Sequence, residues 1–233
     1  MKVLEGNNFL TSESDNRGLG ALVRELQSSL YLIARHAELG GDKSLGTIMD
    51  SAQASLQIID GYLVASQVER GQLNLNLEPM AMGSIMHDAK YDLGRTLSND
   101  YQVEIQSKVR IPVMTHRDSL RCILVSTGLL IAEVSKSAKR NIVLRSFVTK
   151  DGDVGVGVFA PEVSLSPHEL SEAIEQGGVS RLALPKHSQT SGISLQIADS
   201  LSRALGGRLH AKSLGSLSGL STILPKSEQL LIV

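Results

Sequence analysis

The segment Leu45–Leu63, with the sequence LGTIMDSAQASLQIIDGYL, carries the clearest structural pattern of the chain. Its apolar residues are separated by alternating steps of four and three, and they are Leu45, Met49, Ala52, Leu56, Ile59 and Leu63. This spacing is a heptad repeat, and it predicts a helix with one continuous apolar stripe, which we name the heptad seam. Since a lone helix cannot bury such a stripe, the seam requires a partner.

A second helix is predicted just before the seam. Between Leu19 and Leu39 apolar residues recur at helical spacing, and Gly40-Gly41-Asp42 then interrupts the pattern, with Asp42 as a candidate N-cap. The two helices therefore form a hairpin. Because a hairpin leaves part of its apolar surface exposed, we predict that two copies pair into a dimeric four-helix bundle. Packing of the seam against the rest of the same chain is the alternative.

Beyond Gly71 the pattern changes to mixed helices and strands. Residues 72–77 alternate polar and apolar side chains before Pro79, which predicts a short extended connector. Helices are predicted at 81–97, 118–136 and 193–205, with a shorter one beginning at Ser166-Pro167. Strands are predicted at 102–109, 112–116, 142–149, 154–159, 208–213 and 220–224. Helices and antiparallel strands in this order predict an α/β sandwich, so the fold class is α+β.

These boundaries divide the chain into five parts. They are a flexible lead-in (1–16), a helical-hairpin dimerisation domain (17–71), a connector (72–79), a sandwich domain (80–227) and a tail (228–233).

Composition narrows the function classes. The net charge is -1 and the basic residues are scattered, which predicts no nucleic-acid partner. The longest uncharged apolar run, Cys122–Ala132, is shorter than the roughly 20 residues of a membrane span, so no membrane segment is predicted. A single cysteine allows no internal disulfide and fits the cytoplasm. The histidines lack metal-ligand spacing, and no metal site is predicted.

The stretch Val23–Leu30, VRELQSSL, resembles the phosphoacceptor box His-Glu-Leu-Arg-Thr-Pro-Leu of sensor histidine kinases. Glu25, Leu26 and Leu30 match this pattern, while Arg24 stands at the position of the phosphorylated histidine. A guanidinium stays protonated and has no free lone pair, so it cannot accept a phosphoryl group as an imidazole does.

Three further stretches resemble the same family in the same order. The segment from Glu69 to Pro79 is similar to its connector, Asp118-Ser119-Leu120-Arg121 to the start of the helix that bears its N box, and 192–225 to its last glycine-rich helix and terminal hairpin. Over residues 17–227 the resemblance implies a histidine kinase core. Such a core joins a dimerisation and histidine-phosphotransfer hairpin to a catalytic ATP-binding domain of the GHKL type, which gyrase and heat-shock chaperones share.

The resemblance also places inert residues where that family binds nucleotide. Leu130, with Ser126 before it, stands at the N-box asparagines, and Leu has no oxygen for Mg²⁺. Further positions of this degenerate pocket are Ala160, Glu162 and Ser164 in place of the Asp-x-Gly-x-Gly box, and Gly192 and Ser194 in the last glycine-rich box. The resemblance thus implies no intact catalytic residue and no ATP or magnesium cofactor.

The function that the resemblance implies is a catalytically degenerate histidine-kinase-like homodimer, a binding or regulatory module of cytoplasmic two-component signalling. Its expected partner is a response-regulator receiver domain or another histidine kinase, docked around Arg24, Gln27 and Ser28. One alternative is a histidine phosphotransferase that relays phosphate without ATP, with His36 as a displaced acceptor. Another is residual nucleotide binding, which rests on Gly192 and the fold.

Overall fold

The computed structural model describes most of the chain from the end of the first predicted helix onwards. The described residues are Leu26, Leu30, Tyr31, Ile33, 35–72, 74–97, 101–107, 109–136, 140–175 and 189–227. Arg24, Gln27 and Ser28 lie outside them, so the docking surface predicted there is not described. Within these ranges, no helix has both the length and the apolar character needed to cross a bilayer.

The second helix of the predicted hairpin, α1, spans Asp42–Glu69. Gly40 and Gly41 adopt positive φ angles of 65° and 93°, which reverse the chain after helical residues 35–39. Asp42 is the first helical residue, and Gly41 occupies the N-cap without a side-chain hydrogen bond. The predicted Asp42 cap is therefore wrong, because the glycine pair alone makes the turn.

The remaining elements follow the predicted order closely. The helices are α2 (Met82–Thr96), α3 (Arg117–Val134), α4 (Pro167–Glu175) and α5 (Gln189–Ala204). The strands are β1 (Glu78–Met80), β2 (Gln102–Ser107), β3 (Val113–Thr115), β4 (Asn141–Val148), β5 (Val154–Ala160), β6 (Arg208–Leu214) and β7 (Leu217–Leu224). Helix α4 begins with a capping box, in which Ser166 N donates to Glu169 Oε2 (2.8 Å) and Glu169 N donates to Ser166 Oγ (3.2 Å).

The main sheet has five strands in the order β2-β4-β5-β7-β6. Strand β2 pairs with β4 in parallel, and the other neighbours are antiparallel. Antiparallel strands were predicted, and the β2–β4 pair differs because helix α3 lies between β2 and β4 in sequence and returns the chain in the same direction. Strands β1 and β3 form a separate two-stranded sheet.

The core lies between the main sheet and helices α2, α3 and α5. Alternate residues of the central strand β5, Val154, Val156, Val158 and Ala160, point to this core and are fully buried. The α+β fold class is confirmed. The four-helix bundle stays a prediction.

Candidate functional site

Helix α3 occupies the place predicted for the N-box helix. Its N-terminus is capped by His116, whose Nδ1 accepts a hydrogen bond from Ser119 N (3.4 Å). Leu130 lies near the end of this helix and has 0% of its surface exposed. Ser126, one turn earlier, is also buried, with 7% of its surface exposed. The position that the resemblance aligns with the N-box asparagine is therefore an apolar core position.

The end of strand β5 and the loop after it carry the second group of predicted site residues. Ala160 closes the strand and is fully buried, Glu162 is exposed and Ser164 is half-buried. Two backbone hydrogen bonds join this loop to the end of α3. Lys136 N donates to the Glu162 carbonyl (2.8 Å), and Ser164 N donates to the Val134 carbonyl (2.7 Å). The helix and the loop are thus held together directly.

Helix α5 supplies the third group of predicted site residues. Gly192 and Ser194 both lie in its buried part, and Ser194 is 1% exposed. Ser194 Oγ forms no hydrogen bond with any described residue. Of the six predicted pocket positions, the structure therefore buries Leu130, Ala160, Gly192 and Ser194 and leaves Glu162 and Ser164 nearer the solvent.

The predicted dimer residues lie on helix α1. The larger seam residues are strongly exposed, at 58% for Leu45, 71% for Met49, 55% for Leu56 and 51% for Leu63. Ala52 and Ile59 are half-buried. His36 lies on the helical residues before the glycine turn and is half-buried. The described part of the same chain therefore leaves the four larger seam residues exposed, whereas Ile59 packs against its core.

Helix α1 also has a second apolar face, which the sequence analysis missed. Ile58, Gly61 and Ala65 are buried on it. A Cβ atom added to Gly61 would lie 3.0 Å from Cys122 Sγ and 3.3 Å from Ile197 Cγ2, so α1 approaches both α3 and α5 closely. The available signal was the seven-residue spacing of Ile58 and Ala65, offset from the seam. This face joins the helix to the sandwich.

Polar contacts border the same junction. Thr96 Oγ1 donates to Gln57 Oε1 (2.6 Å), and Ser200 Oγ donates to Glu69 Oε1. A cavity of about 270 Å³ remains between α1 and α3, with Asp60, Asp118 and Arg121 among its lining residues. Arg121 lies 3.5 Å from Asp92 and 3.6 Å from Asp118, so exposed ion pairs close its rim.

The thiol of Cys122 faces this junction. Burial raises its pKa from 9.0 to about 11, and the hydrogen bond with Ser126 and the nearby Arg121 only partly oppose that effect. The group stays a neutral thiol at physiological pH, consistent with a packing role. Among the described residues, no cluster of three His, Cys, Asp or Glu side chains is arranged to hold a metal ion.

Several solved histidine kinases share this architecture. The histidine kinase AdeS of Acinetobacter baumannii superimposes with a TM-score of 0.58 at 14% identity, over 88% of this chain and 98% of that one. The mycobacterial sensor histidine kinase MprB gives 0.50 at 16% identity, over 65% of this chain and 100% of that one. Full-length ShkA, solved in complex with AMPPNP, gives 0.55 at 14% identity, over 89% of this chain and 46% of that one.

No family model matches the chain, and no curated protein matches it. At such low identity the structural likeness establishes the fold, and the predicted resemblance is confirmed at that level. The chain has the fold of a histidine kinase catalytic domain.

Proposed function

We propose that the protein is a catalytically degenerate histidine-kinase-like homodimer that acts by binding, in cytoplasmic two-component signalling. The observation that carries this proposal is the complete burial of Leu130 and Ala160, both 0% exposed, at two positions where the family contacts nucleotide. These side chains have become part of the core, whereas a binding pocket keeps such groups accessible to its ligand.

The chemistry of these residues does not fit ATP and magnesium. Mg²⁺ requires oxygen ligands, and the Leu130 side chain supplies none. Ala160 has no acceptor for the adenine amino group, and leaving that donor buried and unpaired costs about 1–3 kcal/mol. The negative charge of exposed Glu162 would repel an approaching phosphate. The proposed role therefore includes no phosphoryl transfer from ATP.

Nucleotide titration tests this part of the proposal directly. We expect ATP and ADP, with or without Mg²⁺ at millimolar concentration, to leave the melting temperature unchanged, since a ligand raises it only by binding the folded state. A saturable rise in the melting temperature would instead support the alternative of residual nucleotide binding, with a sensory role.

The homodimer is supported by the exposed seam. Four large apolar side chains, Leu45, Met49, Leu56 and Leu63, lie more than half exposed along one helix. Their heptad spacing is the pattern that packs knobs into holes of another helix. A second copy of the same hairpin offers a matching stripe and would bury both.

The proposed partner is a receiver domain or another kinase that docks around Arg24, Gln27 and Ser28. Purified receiver domains from the same genome can be titrated into the protein by calorimetry. We expect one or a few to bind, and the triple change Arg24→Ala, Gln27→Ala and Ser28→Ala to weaken binding at least about tenfold, which corresponds to about 1.4 kcal/mol. Glu38→Ala, an exposed change on the same helical segment, is the control. Absence of binding to every receiver and kinase tested would count against this role.

A histidine phosphotransferase is the second candidate, because His36 keeps part of its surface exposed on helical backbone. Incubation with a phosphorylated receiver would then transfer an acid-labile label to the protein. The label should be absent from His36→Ala. A label that persists in that variant would remove His36 as the acceptor.

A further inference from the structure

The outer edge of the main sheet ends in a long strand with a row of basic side chains. Strand β6 is the last in the sheet order, and β7 is its one partner among the described strands along its seven residues. Arg208, His210 and Lys212 alternate along it and therefore project from the same face. Arg208 and His210 are exposed, and Lys212 Nζ lies 3.9 Å from the centre of the Phe147 ring.

The backbone of this edge is available for hydrogen bonding. A two-residue turn at Gly215 and Ser216 places Leu214 opposite Leu217, and the pair that flanks such a turn is hydrogen-bonded. The alternation then points the N–H and C=O groups of Leu209, Ala211 and Ser213 away from β7. Within the described part of the chain, no backbone hydrogen bond outside the β6–β7 ladder involves these three residues.

A groove follows the same edge. It has a volume of about 640 Å³, and its walls include Leu209 and Ala211 of β6 and Ser171 and Ile174 of α4. This volume lies within the roughly 300–1,000 Å³ of typical ligand pockets. The groove thus gives room beside the strand for side chains of an added chain.

The charges around the edge favour an acidic occupant on one face. Arg203 at the groove forms an ion pair with Asp199 (2.8 Å), so its charge is compensated. Glu175 lines the groove on the helix side, which disfavours acidic groups there. On the opposite face the depression beside Arg208, His210 and Lys212 is also lined by Lys150, Asp151 and Asp153, so its cationic side chains outnumber its carboxylates. In a strand added next to β6, acidic side chains are therefore favoured opposite the basic row, and apolar side chains are favoured opposite Leu209 and Ala211.

We propose that β6 is a docking edge that binds an extended acidic peptide by strand addition. The peptide would hydrogen-bond to the outward backbone of Leu209, Ala211 and Ser213. Its alternate acidic side chains would pair with Arg208 and Lys212, and the intervening apolar ones would enter the groove beside α4. Main-chain bonds would supply affinity and the alternation would supply specificity, as in other cases of strand addition. This surface does not depend on the proposed kinase-like function.

The probe is a fluorescein-labelled peptide with the sequence Glu-Val-Glu-Ile-Glu-Val-Glu, titrated into the full chain by fluorescence anisotropy. We expect saturable binding, and at least about tenfold weaker binding when Lys replaces each Glu. The double variant Arg208→Glu and Lys212→Glu should reverse this preference. Lys90→Glu, the same charge change at an exposed residue of α2, which packs beside the opposite edge strand β2, should alter affinity less than about threefold.

A second arm separates strand addition from simple charge attraction. Ala211→Pro removes an outward N–H and keeps the basic row, and proline is tolerated on strand edges. We expect this variant to lose peptide binding while its circular dichroism stays unchanged. If the variant does not fold, the same peptide N-methylated at its backbone tests the point on the wild-type chain. Binding that survives both changes would overturn the proposal, as would a β6-mediated self-association that Ala211→Pro abolishes without any peptide binding.

Discussion

Gly61 illustrates how one small residue sets the distance between the hairpin and the sandwich. Its hydrogen lies where a methyl group would approach Cys122 Sγ to 3.0 Å and Ile197 to 3.3 Å, which is tighter than ordinary contact. Gly46 lies on the same helix, with no atom within 4 Å of an added Cβ. Gly61 is therefore required by close packing. Gly46 shows only the general effect of a helical glycine, which lowers the free energy of unfolding.

We expect Gly61→Val to lower the free energy of unfolding by about 1–3 kcal/mol, because the added atoms overpack a close contact. Gly46→Ala should raise it by about 0.5–1 kcal/mol, because alanine loses less backbone entropy in a helix. Urea unfolding followed by circular dichroism measures both. Equal and stabilising effects of the two changes would mean that α1 does not pack on α3 at this point.

The Cys122 thiol provides a chemical test of the same contact. Because burial raises its pKa to about 11, almost no reactive thiolate exists at pH 8 in the folded protein. We expect a thiol reagent to modify the native chain at least about tenfold more slowly than the guanidinium-unfolded chain. Rapid modification of the native protein would show that the junction between α1 and α3 opens freely.

His210 links the basic row on β6 to pH. Burial, followed by the charges of Arg208 and Lys212, lowers its pKa below 6.5. At a pH between the pKa of His210 in the folded chain and its higher pKa in the unfolded chain, the unfolded chain binds more protons. The free energy of unfolding therefore falls as the pH drops below 6.5. His210→Asn should flatten this part of the curve of melting temperature against pH, and Arg208→Gln should flatten it partly. An unchanged curve in His210→Asn would rule out this histidine as its source.

At the scale of elements, α1 is apolar on two opposite sides. At 100° per residue, Ile58, Gly61 and Ala65 lie about half a turn from Leu56 and Leu63. The former are buried against the sandwich, and the latter are exposed. One helix therefore has one apolar face covered by its own chain and another that the described residues leave exposed.

The exposed side leads to a prediction about assembly. We expect light scattering to give about twice the chain mass of 25.0 kDa for the wild type. Met49→Glu with Leu56→Glu should give a monomer, because burying two charges in a heptad seam is strongly unfavourable. Gly46→Glu, exposed and outside the seam, should leave the dimer intact. A monomeric wild type would exclude the paired bundle.

Most elements could be predicted from the sequence because their patterns are local. Helix α2 was predicted at 81–97 and spans Met82–Thr96, and β5 was predicted at 154–159 and spans Val154–Ala160. Strand β1, three residues that include a proline, gives no periodic signal and was missed. The second apolar face of α1 was missed because Gly61 interrupts its apolar spacing. The residues it contacts, Cys122 and Ile197, also lie far along the chain.

The site shows the same division. The order of the family's boxes predicted Leu130 and Ala160 as pocket positions, but their complete burial depends on how α3, β5 and the loop at Glu162 meet in space. The sequence predicted which chemical groups differ from those of the family. It could not give the exposure of the replacements, since exposure depends on long-range packing.

At the scale of the whole molecule, α1 connects two regions with different sources of stability. Its 28 residues extend about 42 Å. The half from Ser55 onward packs on the sandwich, whereas Leu45 and Met49 in the first half are exposed. A dimer would protect the first half through the seam, and the second half is protected by its own chain in either state.

Hydrogen exchange on the wild type and on the monomeric variant Met49→Glu/Leu56→Glu tests this division. In the variant we expect amides of residues 45–52 to exchange quickly, because the seam side of this half of the helix is then exposed to water and the helix can open locally. Amides of residues 58–68 should keep protection close to that of the β5 core, since opening them would expose Ile58 and Ala65. In the wild type both halves should be slow. Uniformly fast exchange along α1 in the variant would mean that the helix is held by the dimer alone and that the sandwich does not stabilise it.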